Sequence, residues 1–169
     1  MRFGIVALAA AALLLVGCAS QPDATPTPSA TALPFATDEE AFAAAEATYR
    51  AYVDAQNGVV VSDPETFTNV YEWSTGEANA GARTYLTELH SLGHEVTGET
   101  RVLSIGGQAE RLLVCVDVGT VKLVDASGSV IPNSDRTSIQ SFVVILEERP
   151  STATGLAVSK FLPGDPALC

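Results

Sequence analysis

The chain has 169 residues, twenty of them acidic and nine basic, for a formal net charge of −11 at pH 7. That balance argues against a nucleic-acid partner and against electrostatic docking on anionic lipid headgroups. Hydrophobic residues make up 47% of the chain, too many for a disordered polymer and enough for a packed core.

The first residues read as a targeting segment. Arg2 supplies positive charge, an apolar run follows from Ile5 to Val16, and the run ends in Leu15-Val16-Gly17-Cys18. The run is shorter than the about 20 apolar residues a membrane span needs. The tetrapeptide resembles the lipobox of bacterial lipoproteins. The resemblance implies a diacylglyceryl group on the Cys18 thiol, with cleavage ahead of it, so that residues 1–17 are a signal peptide. Loss of Arg2 then leaves eight basic residues against twenty acidic ones. Residues 18–36 form the lipidated cysteine and a spacer, dense in Pro, Thr, Ser and Ala from Gln21 onward. Such composition buries too little apolar surface to order itself. At about 3.1 Å per residue the spacer reaches up to ~50 Å from the anchor. Residues 37–169, about 130 in number, suit one domain with one core.

The domain opens with a capping box, Thr37 with Glu40, and Asp38 and Glu39 complement the positive end of a helix. Phe42, Ala45, Tyr49, Tyr52, Val53 and Gln56 recur at helical spacing until Asn57-Gly58 ends the run. After the apolar connector Val59 to Ser62, Asp63-Pro64-Glu65 starts a brief second helix with Phe67, Val70 and Tyr71 on its apolar side. Ser74 and Glu77 form a further capping box for a third helix. Its stripe is Ala78, Ala82, Tyr85, Leu86, Leu89 and Leu92, and Gly93 stops it.

From Val96 the period changes to two. Val96 to Ile105 predicts a strand closed by Gly106-Gly107. Glu110 to Val124 follows, with Leu112, Val114, Val116 and Val118 on one face and Arg111, Leu113, Cys115 and Asp117 on the other. Gly119-Thr120 breaks or bulges this run. A turn at Asp125 to Gly128 and a loop at Pro132 to Asp135 lead to strands over Ser138 to Glu148 and Gly155 to Leu162, joined around Arg149-Pro150-Ser151. Short turns between consecutive strands predict an antiparallel meander. The fold class is therefore α+β: N-terminal helices packed on a curved antiparallel sheet of four to five strands. With Cys18 lipidated, Cys115 and Cys169 remain in an oxidising compartment, which predicts a disulfide closing a loop of more than fifty residues.

This order of elements, from Thr37 to about Leu162, resembles the nuclear transport factor two-like fold, also called SnoaL-like or cystatin-like. The resemblance implies a cone-shaped sheet around the first helix. The stretches Tyr49-Arg50-Ala51-Tyr52 and Tyr71-Glu72-Trp73-Ser74-Thr75-Gly76-Glu77-Ala78 are more narrowly similar to uncharacterised actinobacterial lipoproteins that share the Pro/Thr linker and terminal cysteine. That likeness implies fold and address and no mechanism. Enzymes of the cone fold, isomerases and cyclases, hold an Asp or His base inside the cone beside a Tyr. Asp117 is nearest to that role, but its alternation points it away from the helices, toward an ion pair with Arg111 or Lys122. His90 and His94 have the i, i+4 spacing of a zinc pair, yet Gly93 falls between them, so surface or capping roles are expected and no metal or other cofactor. Tyr49, Tyr52, Trp73 and Tyr85 are core aromatics that rim a pocket if the helical half holds one. The expected role is a non-catalytic envelope module, held at the outer face of the membrane by its lipid. It takes a small apolar ligand or a partner protein. The alternatives are an accessory subunit of an envelope assembly and a cone-fold isomerase or cyclase.

Overall fold

The computed structural model describes residues 35–169. The expected signal peptide, Cys18 and the expected spacer as far as residue 34 lie outside them. Three helices, α1 (Asp38–Asn57), α2 (Phe67–Glu72) and α3 (Gly76–Leu92), precede seven strands. The strands are β1 (Glu95–Thr97), β2 (Arg101–Gln108), β3 (Arg111–Asp117), β4 (Lys122–Val124), β5 (Val130–Ile131), β6 (Ile139–Glu148) and β7 (Leu156–Pro163). The class is the α+β arrangement that the periodicity predicts.

Local chemistry accounts for most of the boundaries. Thr37 Oγ1 accepts from the Glu40 N–H at 3.1 Å, and the Glu40 carboxylate accepts from Ala36 N–H, one residue earlier than in the reciprocal box. Asp63 caps a single 3-10 turn, Pro64–Thr66, that leads into α2. Gly93, at φ +64, closes α3 in the left-handed conformation. The capping box expected at Ser74 and Glu77 does not form. Ser74 is fully buried and its hydroxyl turns back to the Val70 carbonyl at 2.7 Å. Thr75 becomes the N-cap residue without a side-chain bond, and Glu77 pairs with Lys160.

Four strands, in the order β2-β3-β6-β7, form the main antiparallel sheet. Where one sheet was expected, a second and smaller one, β1-β4-β5, also appears, and β5 occupies a stretch with no strand signal. The long hairpin is divided between the two sheets because both of its arms break at the same level. Gly98 adopts φ +81, and a Cβ there would stand 2.1 Å from the Thr120 carbonyl oxygen. Opposite it, Thr120 Oγ1 donates to the Glu99 carbonyl at 3.0 Å and replaces the ladder. The break expected at Gly119-Thr120 is present, and its partner at Gly98 divides the predicted strand Val96 to Ile105. Gly106-Gly107 does not close that strand. β2 runs through both glycines to pair Gln108 with Arg111, so the turn falls at Ala109-Glu110.

The core is built on the face of β3 that the alternation selects. Leu112, Val114, Val116 and, just past the strand, Val118 are buried in one cluster with Ala45, Tyr49, Tyr52 and Val53 of α1 and with Val144, Leu146, Leu156 and Val158. Helix α1 touches both β2 and β7, the two edges of the main sheet, which requires the sheet to curl around it. Helix α3 lies along β7. The link between α2 and α3 is hydrogen-bonded onto β7: Val158 N–H donates to Trp73 O and Thr75 N–H to Val158 O.

On the other face, Cys115 is buried because the C-terminal tail crosses it. A 3-10 turn, Pro166–Leu168, delivers Cys169 to a disulfide with Cys115, 54 residues away in sequence. A loop of that length gives a loop-entropy stabilisation of about 4 kcal/mol. Cys169→Ser is therefore expected to lower unfolding stability by about 3–4 kcal/mol. Urea denaturation under oxidising conditions measures it, and a loss below about 1 kcal/mol shows that the tail does not restrain the unfolded chain.

Candidate functional site

Between α1, α3 and β7 lies a cleft of about 350 Å³, at the small end of ligand-binding volumes. α3 lines it with three small residues, Ala78, Gly81 and Ala82, between the larger Glu77, Tyr85 and Leu86, and the small side chains leave space between the helix and its neighbours. Tyr52 and Gln56 of α1 and Phe161 of β7 supply the opposing wall, and Tyr85 stands at the mouth with half of its surface exposed. Phe161 is fixed by two rings, Tyr52 at 5.5 Å and Phe142 at 6.0 Å between centroids.

The polar groups inside are few. Gln56 Nε2 donates to Tyr52 Oη at 3.1 Å, which leaves the tyrosine O–H as a donor and the glutamine carbonyl as an acceptor side by side. Glu77, the carboxylate lining the cleft, is held 2.9 Å from Lys160 Nζ at the exposed rim. The arrangement suits an apolar body carrying one hydrogen-bonding group.

Of the aromatics that the sequence singled out, Tyr52 and Tyr85 meet in this cleft and Tyr49 and Trp73 do not. Tyr49 is buried in the core beneath the sheet, and Trp73 sits half-buried at the α2–α3 corner. That corner is tied by polar contacts. Asn79 and Arg149 both donate to the carbonyls of Tyr71 and Ser74, and the Arg83 guanidinium lies 3.9 Å over the Tyr71 ring. Phe161, Gln56 and Gly81 are cleft residues that the sequence reading missed. Their signal was the small-residue spacing on α3 and the polar end of the α1 stripe.

The candidates for proton transfer lie apart from one another. Asp117 is on the face of β3 away from the helices, as its alternation predicts. The expected ion pair with Arg111 or Lys122 does not form, because its carboxylate accepts from the Gly119 N–H at 2.8 Å and so ties the β3–β4 break. His90 Nδ1 lies 2.8 Å from the Val61 carbonyl, an N–H donor that holds the connector to the end of α3, and its ring meets Phe67 edge-on. His94, beyond the left-handed Gly93, has a buried Nδ1 without a partner among the described residues. Among those residues no three His, Cys, Asp or Glu side chains gather into a metal site. Asp125 organises the β4–β5 turn: the Ser127 hydroxyl, then the N–H groups of Ser129 and Ser127, hold its carboxyl below the usual range.

Fold and cleft together define an α+β domain whose helices leave a lined opening on a curled antiparallel sheet. No protein-family model matches the chain, and no curated protein sequence matches it. Among solved structures it is similar to the VirB8 protein of Agrobacterium tumefaciens at 12% identity and a TM-score of 0.46, over 78% of this chain and 95% of that one. It is also similar to a periplasmic fragment of TraM at 14% identity and a TM-score of 0.38, over 76% of this chain and 97% of the other.

Burial pushes the Tyr52 hydroxyl up to about 12, and burial, followed by the neighbouring Tyr52, raises Tyr49 further. An acid whose pKa is raised on folding keeps its proton in the native state after the unfolded chain has lost its own. Stability is therefore complete below the unfolded value of about 10 and falls as pH rises toward 12. Tyr49→Phe and Tyr52→Phe are each expected to flatten that alkaline fall, and Tyr52→Phe to cost about 1 kcal/mol at neutral pH through the lost Gln56 bond. Urea midpoints at pH 8 and pH 11 measure both effects, and slopes equal to the parent's contradict the assignment.

Proposed function

We propose that this chain is a non-catalytic binding module of the cell envelope, anchored through a lipid on Cys18 and facing the extracytoplasmic side, with the Tyr52–Phe161 cleft as its ligand site. The lipobox resemblance at Leu15 to Cys18 supports the anchor. The cystine between Cys115 and Cys169 supports an oxidising compartment. Among the described residues no helix is long and apolar enough to cross a membrane. In cells fed a radiolabelled or alkyne-tagged fatty acid, the mature protein is expected to carry the label and Cys18→Ser to lose it. Equal labelling of the two removes the anchor.

The observation that carries the ligand reading is the pairing of Tyr52 and Gln56 inside an aromatic-walled cleft that α3 leaves open. Such a site selects a small apolar molecule with one group that both donates and accepts. Gly81 offers a clean test, since a Cβ there meets nothing within 4 Å and glycine in a helix interior costs about 1 kcal/mol against alanine. Gly81→Leu is expected to fill the cleft while keeping or raising stability. Native mass spectrometry of protein purified from its own envelope is expected to show a bound small molecule in the parent and none in the variant. A parent that is empty, or a variant that retains the same adduct, ends this assignment.

A second reading, an accessory subunit of an envelope assembly, draws on the face of the main sheet opposite the helices. There Leu113, Val143 and Leu162 form a cross-strand row, each only half-buried. If Gly81→Leu has no adduct to lose and still supports its cell, the function moves to this row.

A further inference from the structure

A second cleft, also of about 350 Å³, lies between Tyr85 and the small sheet. Its floor is one cross-strand row, Val96 with Leu123 with Ile131. Arg136 and Lys122 both line it. From these we propose that this cleft binds a carboxylic acid with a short apolar body, the carboxylate against Arg136 and the body along the Val96–Leu123–Ile131 row.

Three observations converge on that chemistry. In a chain with twenty acidic residues and nine basic ones, a cation is expected to find a carboxylate. Among the described residues neither Arg136 nor Lys122 has one within 4 Å; the ion pairs there are Arg50–Glu46 and Lys160–Glu77. Arg136 is also held in place rather than left to solvent. Its Nη2 donates to the carbonyls of Val118 (3.2 Å) and Val121 (2.5 Å), at the break between β3 and β4, and the residue is half-buried. With Nη2 committed, Nε and Nη1 have no acceptor among the described residues and remain as donors. A guanidinium already fixed by carbonyls loses little freedom when it takes up an anion.

The same commitment favours a carboxylate over a phosphate. Two donors from Arg136 and the exposed Lys122 ammonium match the two oxygens of a carboxylate, while a phosphate dianion asks for more neutralisation than this cleft supplies. The wall opposite is aliphatic, with Tyr85 as its aromatic side chain, so an alkyl body fits the lining. Tyr85 also lines the first cleft, which makes it the partition between the two.

The test uses the full chain in a neutral detergent, labelled with 15N-arginine, and three soluble probes: octanoate, octanol and octyl phosphate. Octanoate is expected to shift the Arg136 Nε–H resonance in a saturable way and octanol to leave it unmoved. Arg136→Gln is expected to weaken octanoate binding about tenfold and Lys122→Gln about threefold, with binding falling as salt is added. Should Arg136→Gln fail to fold, Lys122→Gln and the salt dependence carry the test. Gly81→Leu, which fills the first cleft, is expected to leave octanoate binding unchanged, so this site and the Tyr52–Phe161 site fail separately. The proposal is overturned by octanol binding as tightly as octanoate, by an Arg136 resonance that does not respond, or by abolition of binding in Gly81→Leu. Tighter binding of octyl phosphate than of octanoate overturns the choice of carboxylate.

Discussion

The domain is organised around one apolar cluster, in which the inward face of β3 and the apolar stripe of α1 are buried together. Leu112, Val114 and Val116 of β3, with Val118 just past its end, share that cluster with Ala45, Tyr49, Tyr52 and Val53 of α1. Each such side chain, taken fully from water, contributes about 1.5–3 kcal/mol before the entropy of ordering is subtracted. Because α1 reaches both edge strands, the curl of the sheet follows from burying that helix rather than from the strands alone. The curl in turn sets α3 along β7, and the small residues of α3 then leave the Tyr52–Phe161 cleft.

How far the fold could be read from the residues depended on how local the determining physics was. Helix ends fixed by a cap or a left-handed glycine, as at Thr37 and Gly93, were legible, and so was the inward face of β3. The glycines of the strands were not. Gly98 and Gly106-Gly107 look alike as sequence, yet Gly98 breaks a ladder because Thr120 crowds it, while β2 passes through the other two. That distinction belongs to the partner strand and has no trace in the local pattern. Ser74 shows the same limit. Its spacing to Glu77 fits a cap, but burial under β7 gave the hydroxyl a nearer acceptor in Val70.

The site was less legible than the fold. Aromatic residues announce themselves in a sequence, but whether a ring packs a core or lines an opening depends on what stands opposite. Tyr49 and Tyr52 are three residues apart on one stripe, and only Tyr52 meets the gap left by Ala78, Gly81 and Ala82. Arg136 was passed over because it sits in a loop without a motif. Its position became meaningful only when the β3–β4 break brought the carbonyls of Val118 and Val121 together at its Nη2.

The hydrogen bonds that the α2–α3 link makes to Val158 have a bearing on how these molecules behave in a crowd. They occupy main-chain groups on the outer side of β7 that would otherwise template a foreign strand. The opposite margin, β2, is interrupted by a bulge between Val102 and Ser104 and begins at a positively charged Arg101. Both features deter edge-to-edge pairing. The domain thus carries its own protection against fibrillar self-association at both rims of its main sheet.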